Sequence, residues 1–320
     1  MQKTNIYINL SIVFLLLVIL LNTLPFSSSN YGIKQKSQIS PESLTAATGT
    51  QAQHIIIGIG ILIFVLVVIG LINIIFLSLK RVKKQPVYNV SAEYKEFSLN
   101  IEAASKVIFI VLSLLLSLYF LQVILVLSKI RVNPLPATLI LNFFFNIFII
   151  VLLYRRLKDM LCLNFNKTTF FFAIQIYTAS LPVIIVAAFL NDFILRNYGI
   201  GTTVQPALSL FLQLKQPLFV AIFFLEAVII APVAEEFFFR GFLFKLLRKK
   251  YPFYLSAVAV SFIFSVIHKT PNNILPLFVV GFALSYLYEK TQNITSSIIY
   301  HSLFNFLNLI IISAVKSNLV

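Results

Sequence analysis

Charge is scarce in this chain. Only 11% of its 320 residues are Asp, Glu, Lys or Arg, whereas a soluble domain carries about 25%, because its surface has to be wetted. A chain with less than half of that proportion cannot coat a water-facing exterior. Cysteine is scarcer still: Cys162 stands alone, which excludes an intrachain disulfide and any CxxC site. Acidic residues number 10 against 25 Lys and Arg, for a formal net charge of +15. No Gly-rich phosphate loop and no exposed basic domain accompanies that excess, so nucleic acid is not the expected partner. There is no HExxH motif and no internal repeat.

What the chain does have is apolar surface. Hydrophobic residues make up 59% of it and the mean hydropathy is +0.96. They arrive in blocks of membrane-spanning length rather than in amphipathic stripes. Nine such segments can be read, at about 6–24, 55–79, 107–127, 138–154, 169–190, 217–244, 253–268, 274–288 and 294–315. In lipid each has to be helical, since an open strand would leave its backbone groups unpaired. The expected fold is an all-α, multi-pass transmembrane bundle of about nine spans, an integral membrane protein with lipid as its surroundings.

The basic residues sit mostly in short clusters between spans. Lys80, Arg81, Lys83 and Lys84 follow the second segment, Arg155, Arg156 and Lys158 the fourth, and Lys245, Arg248, Lys249 and Lys250 the sixth. If every segment crosses once, all three clusters fall on one side, the cytoplasmic one, and the N-terminus is inside. The first segment reads as an uncleaved anchor; a signal peptide with Lys3 as its basic start is the alternative. Polar stretches at 25–53 and 80–106 read as an outside loop and an inside linker.

Ionisable side chains inside membrane segments are costly and mark function by default. Two of the three histidines, His268 and His301, lie in or at the end of apolar segments in the last third of the chain, as do Glu235, Glu236 and Arg240. Glu236 and Arg240 are i and i+4, the spacing of a same-face ion pair. Glu235 is turned about 100° away from Glu236 and can face elsewhere. His301 and Asn305 share a helix face, as do Phe264 and His268, so three helices can converge on Glu235, His268, His301 and Asn305. Pro232 lies just before the acidic pair, removes a backbone donor and restricts Ala231, so a helix interrupted there is expected. His54 reads as an ordinary interfacial residue. Glu226 lies in mid-span with no obvious partner.

Ala231 to Gly241, Ala-Pro-Val-Ala-Glu-Glu-Phe-Phe-Phe-Arg-Gly, resembles the EExxxR motif of the CAAX protease and bacteriocin-processing family of intramembrane endopeptidases. Phe264 to His268 is similar to that family's FxxxH motif, and His301 to Asn305 to its HxxxN/D motif. Gly281 and a turn at 288–291 add to the likeness, which covers about 217–309. The resemblance implies a catalytic core at 217–315 behind an accessory transmembrane region at 1–216 with about five spans. It also implies an endopeptidase acting on a peptide or a membrane-anchored protein. Glu235 and His268 would activate water, His301 and Asn305 would stabilise the oxyanion, and Glu236 and Arg240 would support the site structurally.

Metal stays open at this point. Two histidines and a glutamate form a known catalytic zinc set, which here would be Glu235, His268 and His301. Without HExxH, the reading leans to metal-free water activation and no firm cofactor. A transporter or channel with buried charges, and a non-catalytic scaffold or immunity protein on the same fold, are the competing functions. For each motif alone the plain alternative is structural: snorkelling charges at a helix end, or an interhelical hydrogen bond.

Overall fold

The computed structural model describes residues 50–88, 98–127, 134–200, 206–268 and 270–316. The apolar blocks are helices, as lipid requires: α1 (Thr50–Val82), α2 (Ile101–Leu127), α3 (Pro134–Leu157), α4 (Lys167–Asn197), the short α5 (Pro206–Gln213), α6 (Pro217–Arg248), α7 (Phe253–Ile267), α8 (Ile274–Thr291) and α9 (Ile294–Lys316). Among the described residues there is no strand. Seven of the helices are long and apolar enough to cross a membrane, and the chain is an integral, multi-pass helical membrane protein. The seventh expected crossing, α7, has 15 residues; at about 1.5 Å per residue it is shorter than a bilayer core of about 30 Å. The expected first span, with the N-terminus, lies outside the described residues.

The described helices form two compact units. In the first, Ser98–Ile149, α2 opens on Asn100, whose Oδ1 accepts the Ala103 N–H at 2.8 Å. Its first turn carries a Glu102–Lys106 ion pair of 2.7 Å, and farther along Ser113 and Ser117 bond back to carbonyls of the turn before. The second unit holds Gly49–Phe97 and Ile150–Val320, so α1 and α4 belong to it together with α6 to α9. The boundary at 216 is a division made on motifs.

In the second unit α4 is the central strut, with α1, α8 and α9 packed around it. Its ends are set by local chemistry. Asn166 accepts the Thr169 N–H at 2.8 Å and caps the start. Gly199, at φ +63°, stops the other end, where Ile200 N–H reaches Leu195 O and Gly199 N–H reaches Arg196 O. That double bond pattern needs a left-handed residue, which glycine adopts without a side-chain clash. Gly70 lets α1 lie directly on Thr178 and Pro182 of α4, since a methyl group there would overlap the Thr178 carbonyl. The turn expected at 288–291 is instead the last turn of α8. The chain reverses one residue later, at Gln292 (φ 48°), whose N–H closes on Tyr288 O at 2.8 Å. Asn293, buried beside it, donates to Asn164 O at 2.5 Å and ties the α8–α9 turn to the α3–α4 loop.

Candidate active site

The sixth apolar segment is one continuous helical run, α6, rather than a helix broken at Pro232. Continuity is kept by two π-helical stretches, Glu226–Ile230 and Phe237–Phe244, on either side of the α-helical Ala231–Glu236. The register explains how the proline is tolerated. Ala231 N–H donates to Glu226 O, five residues back. The carbonyl of Ala227 would then expect the N–H of residue 232, which is a proline and has none. Asn305 of α9 supplies the missing donor, its Nδ2 lying 2.8 Å from Ala227 O. An extra residue inserted into an α-helix in this way recurs at functional sites. Here it lies one turn before the acidic pair.

Glu235 and Glu236 face different ways, as their 100° offset implies. Glu236 and Arg240 are fully buried, and Arg240 Nη1 donates to Glu236 Oε1 at 2.7 Å. The other end of the guanidinium, Nη2, donates to Gly281 O on α8 at 3.0 Å. Its plane lies over the ring of Phe264 at 5.0 Å, a cation–π contact that helps offset burial of the charge. Gly281 makes this reach possible. A Cβ there would come within 3.0 Å of Ser261 Cα, so only glycine allows α7 and α8 to approach at this level.

Glu236 does more than pair with Arg240. The same Oε1 lies 2.9 Å from His301 Nδ1. An ionised carboxylate can only accept, so Nδ1 carries the proton and donates. In the neutral imidazole the lone pair is then on Nε2, which faces Glu235: His301 Nε2 and Glu235 Oε2 are 3.9 Å apart. Glu235 is partly exposed, at 29%, against 4% for His301 and none for Glu236. Its Oε2 is nonetheless enclosed and has no hydrogen-bond partner.

His268 ends α7. Its Nδ1 is 2.6 Å from Phe264 O, and since a carbonyl only accepts, its Nε2 is likewise the open nitrogen. The Phe264 ring lies between the two histidines, 4.8 Å from His268 and 5.7 Å from His301 by ring centroids. The structure therefore joins Glu235, Glu236, Arg240 and His301 in one polar network and sets His268 beside it across a phenyl ring. Asn305 is brought to the helix backbone at Ala227. Among the described residues no three His, Cys, Asp or Glu side chains are grouped so as to hold a metal ion. Glu235, His268 and His301 thus do not make a three-ligand set as they stand.

Two supports were not legible in the sequence. Asn191 of α4, buried, donates to Pro271 O at 2.9 Å and accepts the Leu275 N–H at 3.1 Å, holding the turn that follows His268. Ser180 of α4 lies 2.5 Å from the hydroxyl of Tyr300, the residue before His301. Polar residues within an otherwise apolar helix are the signal that points to both. Glu226, the mid-span acid, is buried within the first π stretch. His54 falls within α1. Asn166 and Asn293, each followed two residues later by Thr, serve structure: Asn166 caps α4 and Asn293 is buried at the α8–α9 turn.

Comparison with known proteins meets the same residues. Residues 217–307 match a family model described as type II CAAX prenyl endopeptidase Rce1-like. A Bacillus subtilis (strain 168) protein named "Putative membrane peptidase YdiL" is 31% identical over 77 residues, which cover 24% of this chain and 32% of that protein. The chain thus spans about a third of the length of the curated relative it matches. No solved structure matches it. Over residues 217–307, the stretch that holds all three motifs, this chain is similar to the Rce1-like CAAX prenyl endopeptidases, as the motifs themselves indicate.

Proposed function

We propose that the protein is an intramembrane endopeptidase that hydrolyses peptide bonds in membrane-associated peptides or proteins. The observation that carries this reading is the pairing of Glu235 with His301: an enclosed, unpartnered carboxylate oxygen 3.9 Å from an imidazole nitrogen whose lone pair is aimed at it. Such a gap accommodates one oxygen at about 2.8 Å from both groups. In membrane surroundings an unpartnered buried carboxylate is costly and is kept for use.

In the proposed reaction, a water held at Glu235, with the open Nε2 of His268 as second base, loses a proton as its oxygen attacks the peptide carbonyl carbon. The carbonyl oxygen takes the negative charge. His301, held at Nδ1 by the Glu236 carboxylate, takes a proton from solvent at Nε2 before the attack and offers it as a donor to that oxyanion. The C–N bond then breaks as the proton taken up by Glu235 or His268 passes to the leaving nitrogen, giving a carboxylate and an amine. Asn305 acts in this scheme through the helix, by holding the Ala227 carbonyl and so the register of Glu235. Likeness to the Rce1-like family and to a protein named as a membrane peptidase supports the assignment.

The test is cleavage by the purified full chain in liposomes, read by mass spectrometry, with prenylated CAAX peptides, unprenylated controls and apolar membrane peptides. Cleavage that disappears in Glu235→Gln is the expected result, and the peptide that is cut names the substrate class. Cleavage at the same rate in both proteins would remove Glu235 from the mechanism.

A further inference from the structure

Asn191 follows the apolar run 181–190 of α4, a helix outside the stretch 217–307 that carries the three motifs. It is 5% exposed. A buried amide is costly unless its polar ends are bonded. Here both ends are, and to a single reversal of the chain: Nδ2 donates to Pro271 O at 2.9 Å, and Oδ1 accepts the Leu275 N–H at 3.1 Å. One side chain of α4 therefore bridges the turn between α7 and α8, against which α4 packs.

The turn provides little to hold itself. The first N–H groups of a helix have no partner within it, and Leu275 N–H is one of those of α8. Asn273, at the cap position, makes no side-chain bond to them. Pro271 has no N–H to contribute. Asn191 thus does from another helix what an N-cap residue does locally.

His268 stands just before this turn, at the C-terminal cap of α7, and helix ends fray. Its backbone is tied forward: Thr270 Oγ1 donates to His268 O at 3.3 Å, and Asn273 N–H donates to Thr270 O at 2.9 Å. Its ring is tied backward, through Nδ1 to Phe264 O. His301 is held differently, within α9 and by its own bond to Glu236. A loosened turn would reach the first histidine and spare the second.

We propose that Asn191 is a positioning residue for His268. Through the turn at 270–273 it keeps the end of α7 wound and the imidazole, with its proton at Nδ1, against Phe264. The effect on rate rests on the proteolytic reading, in which His268 Nε2 is the second base; the effect on the ring does not.

The experiment is nitrogen NMR of the full-length protein in detergent, isotopically labelled at the histidine rings, of which the chain has three. His268→Gln identifies the signals of that ring. With the ring neutral and its proton fixed at Nδ1, two well-separated nitrogen signals are expected in the wild type. In Asn191→Leu, which removes both bonds at similar size, the two should move together as the proton exchanges between nitrogens, while those of His301 stay. Asn191→Asp keeps the acceptor for Leu275 N–H and should give a smaller shift, so it decides the matter if Asn191→Leu does not fold. In Asn191→Leu, kcat for cleavage should fall about tenfold with KM unchanged. Gly70→Ala, which disturbs α4 at Thr178 and Pro182, should lower the unfolding temperature but leave the His268 signals in place. Unmoved His268 signals in the Asn191 variants, or an equal shift of His301 or in Gly70→Ala, would overturn the proposal. A wild type that cleaves nothing would remove the proteolytic reading, and the ring signals would still decide whether Asn191 positions His268.

Discussion

His301 and Glu236 face each other across α9 and α6, with Nδ1 2.9 Å from Oε1, and the same oxygen receives Arg240 at 2.7 Å. One buried carboxylate therefore orients an imidazole and neutralises a guanidinium at once. The role expected for Glu236, structural support, becomes in this arrangement a choice of tautomer for His301.

Glu236→Gln separates the two tasks. A glutamine can keep a hydrogen bond to His301 Nδ1 but carries no charge, so the protonated imidazole that serves the oxyanion loses the carboxylate that steadies it. Cleavage is expected to fall by about 100-fold or more, as when the carboxylate behind a catalytic histidine is made an amide. Glu236→Ala leaves Arg240 buried without its counter-charge and should cost about 3–5 kcal/mol. Turnover and thermal unfolding in detergent, measured on both variants, distinguish the effects; equal losses of stability would show that Glu236 is only an anchor.

Glu235→Gln has the opposite profile. Glu235 Oε2 has no hydrogen-bond partner to lose, so stability should be unchanged or raised when its charge is removed. Cleavage should drop by about 10²–10⁴-fold, the usual worth of a general base. A marked loss of stability would contradict the placement of this carboxylate.

Asn305→Leu removes the donor to Ala227 O and should destabilise by about 1–3 kcal/mol, the cost of an unsatisfied buried carbonyl. Pro232→Ala restores a backbone N–H at the position where Ala227 O lacks one. In the double variant the penalty of Asn305→Leu should shrink, a coupling that a double-mutant cycle measures directly. Additive penalties would show that Asn305 does not compensate for the proline.

Gly281→Ala places a methyl 3.0 Å from Ser261 Cα and 3.1 Å from its Cβ. These are backbone-proximal atoms that cannot swing aside, so α7 and α8 must separate by a few tenths of an ångström. A loss of about 1–3 kcal/mol is expected, together with lower turnover, because the Gly281 carbonyl holds Arg240. Unfolding and cleavage measured on the same sample test both; a variant of unchanged stability would refute the close approach.

The sequence by itself determined the class and the faces. Scarce charge and apolar blocks leave helices in lipid as the outcome, because no other element satisfies its own backbone there. The i, i+4 spacing of Glu236 with Arg240, and the rotation of Glu235 away from them, follow from helical geometry alone and appear in the structure as read. The tertiary structure decided the partners. Which helix meets Glu236 depends on rotations and separations set by packing, through contacts such as Gly281 against Ser261, that no local period records. The break expected at Pro232 did not form, because the helix changed register to π and a side chain seventy-odd residues later supplied the missing donor. Local rules describe what a residue costs its own helix; only the assembled helices show which neighbour offsets that cost.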